Sequence, residues 1–147
     1  MFTVAKTNAI GAINQYIHDA KDGSRAILNI TTLGASNMSN AVTAFNVAGL
    51  DNLPHVYTEQ WNTGTNSKLT ISGIGDNTGD AGSTDWDYAT LFSNPYGTEG
   101  FEGWIGEFIV FDRALDATEI ALVQQYLEGK WLHVLAKDFN DDFSGDF

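Results

Sequence analysis

The stretch GFEGWIGEFIVFDRALDATEIALVQQYLEGKW, residues 100–131, carries the clearest structural pattern of the chain. It predicts a strand followed directly by a helix. Successive side chains of a strand point to opposite faces, and in the first half of this stretch both faces are apolar. One face would carry Phe101, Gly103, Ile105, Ile109 and Phe111, and the other would carry Trp104, Phe108 and Val110. We therefore expect this strand to be covered on both sides.

The second half of the stretch predicts a capped amphipathic helix. Asp116 precedes Glu119 by three residues, which is a capping-box pattern in which each side chain binds the backbone N–H of the other residue. An apolar stripe at helical spacing follows, made of Ile120, Val123 and Leu127 and widened by Leu122 and Tyr126. Gly129 predicts a left-handed residue that ends the helix.

The same stretch resembles the C-terminal end of laminin-G-like, concanavalin-A-like jelly rolls. Many members carry F-x-G-x-I-x-E-x-x-x-[YF]-x-R-A-L-x-x-x-E, followed by a helix that ends near Y-L-x-x-K-W. The matching residues are Phe101, Gly103, Ile105, Glu107, Phe111, Arg113, Ala114, Leu115, Glu119, Tyr126, Leu127, Lys130 and Trp131. The resemblance implies a two-sheet antiparallel sandwich, whose members are mostly binding or adhesion modules and in some cases glycosidases.

The rest of the chain predicts one further helix and several short strands. Ile10, Ile13, Ile17 and Ala20 recur at helical spacing, so we expect a helix near residues 8–21. Strands are predicted at 2–5, 25–33, 41–48, 55–61, 68–71, 88–92, 101–111 and 131–135. The whole pattern predicts a mainly β protein: an antiparallel β-sandwich of the concanavalin-A-like jelly-roll class, minimal or incomplete in its strands, with an N-terminal helix and a short C-terminal helix.

Length and composition predict one folded domain. The 147 residues include 43% hydrophobic and 12% aromatic residues, which is enough for an ordinary core. We place the domain at residues 1–136 and an acidic, aromatic tail at 137–147. The absence of cysteine excludes disulfides and cysteine-based zinc sites.

The net charge of −12, from 19 acidic and 7 basic residues, argues against nucleic acid as a partner. It also disfavours anionic membranes, and no apolar run reaches the length that membrane insertion requires. The first residues show no signal-peptide pattern. We therefore expect a location on a virion surface, or outside the cell by a route that uses no such signal.

The sequence offers no convincing catalytic group, so we expect that the protein is not an enzyme. The glycosidase branch of the resembled superfamily places carboxylates in a pattern like E-x-D-x-x-E, which is absent here. Glu102 and Glu107 have opposite parity on the predicted strand and would face opposite sides. The three histidines, His18, His55 and His133, are scattered along the chain.

A segment rich in acidic and amide side chains is the candidate metal site. The segment is GIGDNTGDAGSTDWD, residues 73–87, and its candidate ligands are Asp76, Asn77, Asp80, Asp85 and Asp87. Ca²⁺ binds six to eight oxygens of carboxylates, amides and backbone carbonyls, which such a loop supplies. The alternative is a polar surface loop of turn-forming residues.

Aromatic residues near that segment make a glycan site plausible on chemical grounds. Aromatic rings stack on the apolar faces of sugars, while Asp and Asn accept hydrogen bonds from hydroxyls. The candidate ligand-binding residues are Trp61, Trp86, Tyr88 and Tyr96, of which we favour Trp86. The alternative is that these rings fill the core, which is where we place Trp104 and Trp131.

The tail KDFNDDFSGDF, residues 137–147, predicts a docking peptide for other protein chains. Phe139, Phe143 and Phe147 recur every four residues between carboxylates and are the candidate partner-binding residues. The alternative is a loose terminus or an arm folded over its own sandwich.

These observations lead to one hypothesis and two rivals. The hypothesis is a non-catalytic binding or structural module on the surface of a larger assembly, such as a phage decoration or tail protein, with a cell-surface glycan as a candidate ligand. The first rival is a carbohydrate-binding domain of a secreted protein. The second rival is a glycoside hydrolase.

Overall fold

The computed structural model describes residues 1–8, 10, 13–20, 27–39, 44–62, 64–82 and 89–132. The strands in this part of the chain are β1 (Phe2–Thr7), β2 (Gln15–Ala20), β3 (Ile27–Ile30), β4 (Ala35–Ser39), β5 (Ala44–Ala48), β6 (His55–Gln60), β7 (Ser67–Ile71), β8 (Gly75–Gly79), β9 (Ala89–Leu91) and β10 (Gly103–Ile109). A 3₁₀ turn at Gly64–Asn66 precedes β7. Helix α1 (Ala117–Leu127) follows β10 and continues as a π-helical turn over Glu128–Leu132.

The strands form two antiparallel sheets, which confirms the predicted sandwich. The first sheet has the order β10-β1-β6-β7-β8, and the second has the order β5-β4-β3-β2-β9. The edges β8 and β5 meet and close one side of the sandwich. There, the Asn77 amide donates a hydrogen bond of 2.8 Å to the Asn46 carbonyl. A Cβ on Gly79 would approach the Phe45 ring to 2.7 Å, so only glycine permits this contact.

Inward side chains from both sheets build the interior. In β5 the alternation is complete, since Phe45 and Val47 are buried whereas Ala44, Asn46 and Ala48 are exposed. The other interior side chains are Ala5, Ile17, Leu28, Ile30, Met38, Leu50, Tyr57, Leu69, Ile71 and Ala81. Burial of each large apolar side chain contributes about 1.5–3 kcal/mol, so this layer is the main source of stability.

Helix α1 forms a third layer on the outer face of the first sheet. Leu127 is fully buried against Phe2, Val4 and Val56 of β1 and β6, and Ile120 packs beside it. The predicted capping box is confirmed. The Asp116 carboxylate accepts from the backbone N–H groups of residues 118 and 119, and the Glu119 carboxylate accepts from the Asp116 N–H at 3.0 Å.

Strand β10 is covered on both sides as predicted, but its predicted faces are wrong beyond Gly106. Val4 pairs with Glu107 and Ala5 pairs with Ile105, so Gly106 is the extra residue of a β-bulge. One extra residue exchanges the two faces of every later position. Ile105 and Phe108 therefore share the inner face, and Trp104 and Ile109 share the outer face under α1.

The predicted helix near residues 8–21 is wrong, because β2 occupies Gln15–Ala20 between β3 and β9. The pairing with β3 shifts register between Tyr16 and His18, which makes Ile17 the extra residue of a second bulge. Ile17 and His18 are both fully buried as a result. Two adjacent buried residues break the every-second-residue alternation that identifies a strand. The remaining apolar spacing, at residues 10, 13, 17 and 20, therefore resembled that of a helix.

Smaller differences concern polar strands and the chain end. Strands β4 and β8 were not predicted, because Ser, Asn, Gly and Asp dominate them and favour turns. The strand predicted at 131–135 is wrong at Trp131 and Leu132, which belong to the π-helical turn, and its other residues lie outside the described part. Gly129 is not left-handed. Each sheet has five strands in the described part of the chain.

Replacement of Gly106 by alanine should destabilise the fold, because a Cβ there would lie 2.7 Å from the Trp104 ring and 2.9 Å from the Trp131 ring. We expect a loss of about 1–3 kcal/mol in the free energy of unfolding, measured by urea denaturation. Gly129→Ala is the matched control. A Cβ on Gly129 meets no atom within 4 Å, so this variant should be neutral or more stable by about 0.4–1 kcal/mol. Equal stability of the two variants would contradict the proposed packing of the bulge.

Candidate functional site

A cleft of about 450 Å³ lies where β6 and the start of β1 meet the connection between β10 and α1. Its apolar lining includes Phe2, Trp61, Val110, Phe111, Leu115 and Ile120. Its polar lining includes Gln60, Asn62, Asp112 and Arg113. The volume falls in the range of about 300–1,000 Å³ that is typical of small-ligand sites, and the mixture of apolar walls and few polar groups is typical as well.

Trp61 is held in this cleft from the interior of the sandwich. Its indole N–H donates a hydrogen bond of 3.1 Å to Oε2 of Glu59, which also accepts from Nε2 of His18 at 2.8 Å. The side chains of His18 and Glu59 are completely buried. Since His18 belongs to β2 and Glu59 to β6, this chain of hydrogen bonds joins the two sheets and fixes the Trp61 ring.

Glu59 also leaves one oxygen unsatisfied. The Oε1 atom is buried and accepts no hydrogen bond, although a buried carboxylate oxygen normally does so. Glu59 itself is among the residues that line the cleft. An unsatisfied buried acceptor costs free energy, which the two hydrogen bonds to Oε2 have to offset.

Arg113 reaches the cleft from the start of the helix. Its guanidinium forms two hydrogen bonds with the Glu119 carboxylate, at 2.6 Å and 2.8 Å, and so ties the cleft to the capping box. The Arg113 guanidinium, together with the Asp116 N–H, lowers the pKa of Glu119 to about 2. The positive charge of Arg113 is therefore already balanced within the chain.

Glu107 has a structural role that explains part of the sequence motif. Its carboxylate accepts from the Trp131 indole N–H at 2.8 Å and from Lys130 Nζ at 3.0 Å, with the Tyr126 hydroxyl at 3.4 Å. These contacts, the Trp131 hydrogen bond first, lower the pKa of Glu107. Together they fasten the end of the helix to β10. Trp131 also packs edge-to-face on Trp104, with ring centroids 5.2 Å apart, as expected of two packing residues.

The carboxylates and histidines weighed as catalytic groups are found in structural contacts. The bulge at Gly106 overturns the parity argument for Glu102 and Glu107, because it places Glu107 on the outer face with Trp104, where Lys130 and Trp131 bind its carboxylate. His55 is held between the Asp51 carboxylate at 2.8 Å and the carbonyl of Ser72 at 2.7 Å. His133 lies outside the described residues.

The candidate calcium ligands that the structure describes are engaged in separate contacts. Asp76 forms an ion pair of 2.6 Å with Lys68 on the neighbouring strand. The Asn77 amide donates a hydrogen bond to the Asn46 carbonyl of the second sheet. The Asp80 carboxylate accepts a hydrogen bond of 2.7 Å from the Gly82 N–H. Within the described ranges, no three acidic or histidine side chains are close enough to hold a metal ion. Asp85 and Asp87 lie outside the described residues.

The aromatic candidates are likewise separated. Trp61 lines the cleft, whereas Tyr96 lies in the loop between β9 and β10 and is not part of the cleft lining. Trp86, Tyr88 and the tail residues Phe139, Phe143 and Phe147 lie outside the described residues. Sequence reasoning missed the His18–Glu59 pair because the two residues are 41 positions apart and no local pattern joins them.

Comparisons with protein-family models, with curated proteins and with solved structures gave no match. The fold therefore defines the class of this protein as a two-sheet antiparallel β-sandwich with a docked C-terminal helix. No helix in the described part of the chain is long and apolar enough to cross a membrane.

The Arg113–Glu119 pair should make stability sensitive to acid. Because the folded-state pKa of Glu119 is depressed from 4.5 to about 2, its contribution is present above pH 4.5 and lost as the pH falls towards 2. Urea midpoints measured between pH 5 and pH 2 should therefore fall less steeply for Glu119→Gln than for the unmodified protein. Arg113→Met removes the main cause of the low pKa of Glu119, so the loss of stability should move to higher pH. Parallel curves for all three proteins would contradict this assignment.

Calcium binding by residues 76–87 remains a prediction from the sequence. If the ion binds only to the folded protein, millimolar calcium should raise the melting temperature. Because Asp76 is paired with Lys68, Asp76→Asn should keep this effect, whereas a double Asp85→Asn, Asp87→Asn variant should lose it. A melting temperature that calcium leaves unchanged would show a plain polar loop.

Proposed function

We propose that this protein is a non-catalytic carbohydrate-binding module of the laminin-G-like, concanavalin-A-like kind, and that a sugar ring binds in the Trp61 cleft. The observation that carries the proposal is the fixed Trp61 ring, hydrogen-bonded to a buried carboxylate at the wall of a cleft of about 450 Å³. A ring held in place before binding loses little conformational entropy when the ligand arrives.

The chemistry of the cleft suits a carbohydrate. The aromatic and aliphatic lining offers flat apolar surface to the C–H face of a sugar, which is the contact that aromatic rings make well. Gln60, Asn62 and Asp112 add planar polar groups for hydroxyls.

The charge of the cleft favours a neutral sugar over an acidic one. Arg113 is balanced by Glu119, whereas Asp112 adds a carboxylate to the lining. The whole chain also carries a net charge of −12, which repels uronic or sialic acids at a distance. A neutral glycan is repelled neither by the lining nor by the net charge of the chain.

We also propose that the cleft has no catalytic role. Glu59 is the cleft carboxylate with a histidine partner, but its side chain is completely buried and its Oε2 already accepts two hydrogen bonds. A general acid or base has to reach the reacting atom within hydrogen-bond distance. Asp112 would then act alone, whereas glycoside hydrolysis generally requires two carboxyl groups.

Binding of neutral oligosaccharides, measured by glycan array and then by calorimetry, should depend on Trp61. We expect Trp61→Ala to weaken binding by at least about tenfold, and Trp61→Phe to weaken it less because an aromatic face remains. Tyr96→Ala is the matched control, since Tyr96 is an exposed ring outside the cleft. Thermal melts should show that all three variants fold.

The same samples test the absence of catalysis. The oligosaccharides should be recovered intact after prolonged incubation. Binding that survives Trp61→Ala but not Tyr96→Ala would refute the cleft as the site. Release of reducing ends that Asp112→Asn abolishes would identify a glycoside hydrolase instead.

We also propose that the module is carried on the surface of a larger assembly, with residues 137–147 as its docking peptide. The support is the pattern of Phe139, Phe143 and Phe147 among carboxylates, since each ring can bury about 150–250 Å² on a partner. A chain that ends at Lys137 should keep the melting temperature and glycan binding of the full chain but fail to join its native assembly. Normal incorporation of the shortened chain would contradict the role of the tail.

A further inference from the structure

One side chain fixes the loop between β9 and β10, residues 93–100, which we name the Asn94 loop. The Asn94 Oδ1 atom accepts from the backbone N–H groups of Tyr96 at 3.2 Å and Thr98 at 3.0 Å. Its Nδ2 atom donates to Thr98 Oγ1 at 2.9 Å and to Glu99 Oε2 at 3.2 Å. Asn94 is only 5% exposed, so the loop has a buried polar centre.

Backbone contacts close the base of the Asn94 loop. Ser93 and Gly100 form an isolated antiparallel bridge, and the Phe101 N–H donates to the Phe92 carbonyl at 2.8 Å. Phe92 has a φ of +66°, a left-handed conformation that a bulky residue rarely adopts. Its N–H donates to the Ile17 carbonyl at 2.9 Å, so contacts on both sides hold this conformation in place.

This rigid frame displays apolar side chains to solvent. Tyr96 is 70% exposed, Phe92 is 41% exposed and Leu91 is 38% exposed. These three large apolar side chains lie within six positions of one another in the sequence, on or directly before the fixed loop. Because the loop is already ordered, binding would cost little further entropy.

The segment of sequence that carries the loop is acidic. Residues 89–112 include Glu99, Glu102, Glu107 and Asp112 but no lysine, arginine or histidine. Lys130 neutralises Glu107 from the helix. In contrast, neither Glu99 nor Glu102 belongs to an ion pair within the described part of the chain.

We propose that the Asn94 loop is a docking surface for a protein partner that presents an arginine or lysine beside apolar side chains. The Tyr96 ring provides a π-face for the cation, and the Glu99 and Glu102 carboxylates provide its counter-charge. Leu91 and Phe92 cover the aliphatic stem of the cation and the adjacent apolar residues. This surface is separate from the Trp61 cleft and does not depend on a glycan.

A second copy of this chain is a poorer partner for the loop. Three of its basic side chains, Lys68, Arg113 and Lys130, are already in ion pairs with its own carboxylates. Two chains of net charge −12 also repel each other. Charge repulsion between two copies therefore favours a different protein as the partner.

The test uses the full chain labelled with ¹⁵N and two synthetic peptides in 150 mM salt. One peptide alternates leucine and arginine, and the other replaces each arginine by citrulline, which has nearly the same shape but no charge. The arginine peptide should shift the amide resonances of residues 91–102 and bind at least about fivefold more tightly than the citrulline peptide. Its association rate should fall as salt is added.

Three variants complete the test. Tyr96→Ala should weaken binding of the arginine peptide by about fivefold to tenfold. Leu33→Ala is the matched control, because Leu33 is 91% exposed but lies elsewhere in sequence and in no part of the loop, and it should leave binding unchanged. Asn94→Ala should weaken binding although Tyr96 is retained, and loop amides that exchange faster with solvent would show that the frame has loosened.

Several results would overturn the proposal. One is equal affinity for the two peptides, and another is a set of shifts spread over the acidic surface that Tyr96→Ala does not change. Loop resonances that respond to protein concentration alone would identify a second copy as the partner. Loop resonances that respond to a neutral oligosaccharide instead of the peptide would identify Tyr96 as a glycan ligand.

Discussion

The structure depends on the need to cover both faces of β10. Its inner face, with Ile105 and Phe108, requires the second sheet, and its outer face, with Trp104 and Ile109, requires the helix. The bulge at Gly106 sets which side chains face which layer and makes room for the paired tryptophans. The three layers follow from this strand, and the cleft forms where the chain leaves β10 and turns back towards α1.

Two carboxylates on the first sheet accept hydrogen bonds from the polar side chains that lie among the apolar layers. On the outer face, Glu107 accepts hydrogen bonds from side chains at the end of the helix. On the inner face, Glu59 is hydrogen-bonded to His18 and Trp61. Burial of a carboxylate costs free energy that hydrogen bonds to charged or polar partners have to offset. Glu59 is such a group, and its hydrogen bond orients the Trp61 ring beside the cleft.

Local signals in the sequence predicted local structure well. The capping box of Asp116 and Glu119, the helical stripe ending at Leu127 and the doubly covered strand are all present, because each depends on residues within one turn or one strand. The features that were missed depend on distant partners. Strand β2 imitated a helix because of its bulge, and the cleft combines residues 1–2, 58–62 and 110–120, which no periodicity relates. Trp61 was identified as an aromatic candidate, but its hydrogen bond to Glu59 was not predictable from spacing.

We propose that Trp61, rather than another tryptophan, contacts the ligand. The most direct measurement is ¹⁹F NMR of the protein labelled with fluorotryptophan, whose four resonances belong to Trp61, Trp86, Trp104 and Trp131 and are assigned by single Trp→Phe variants. On addition of a neutral oligosaccharide, the account predicts that the Trp61 resonance shifts while those of Trp104 and Trp131 stay in place. A shift of the Trp86 resonance with Trp61 unmoved would contradict it.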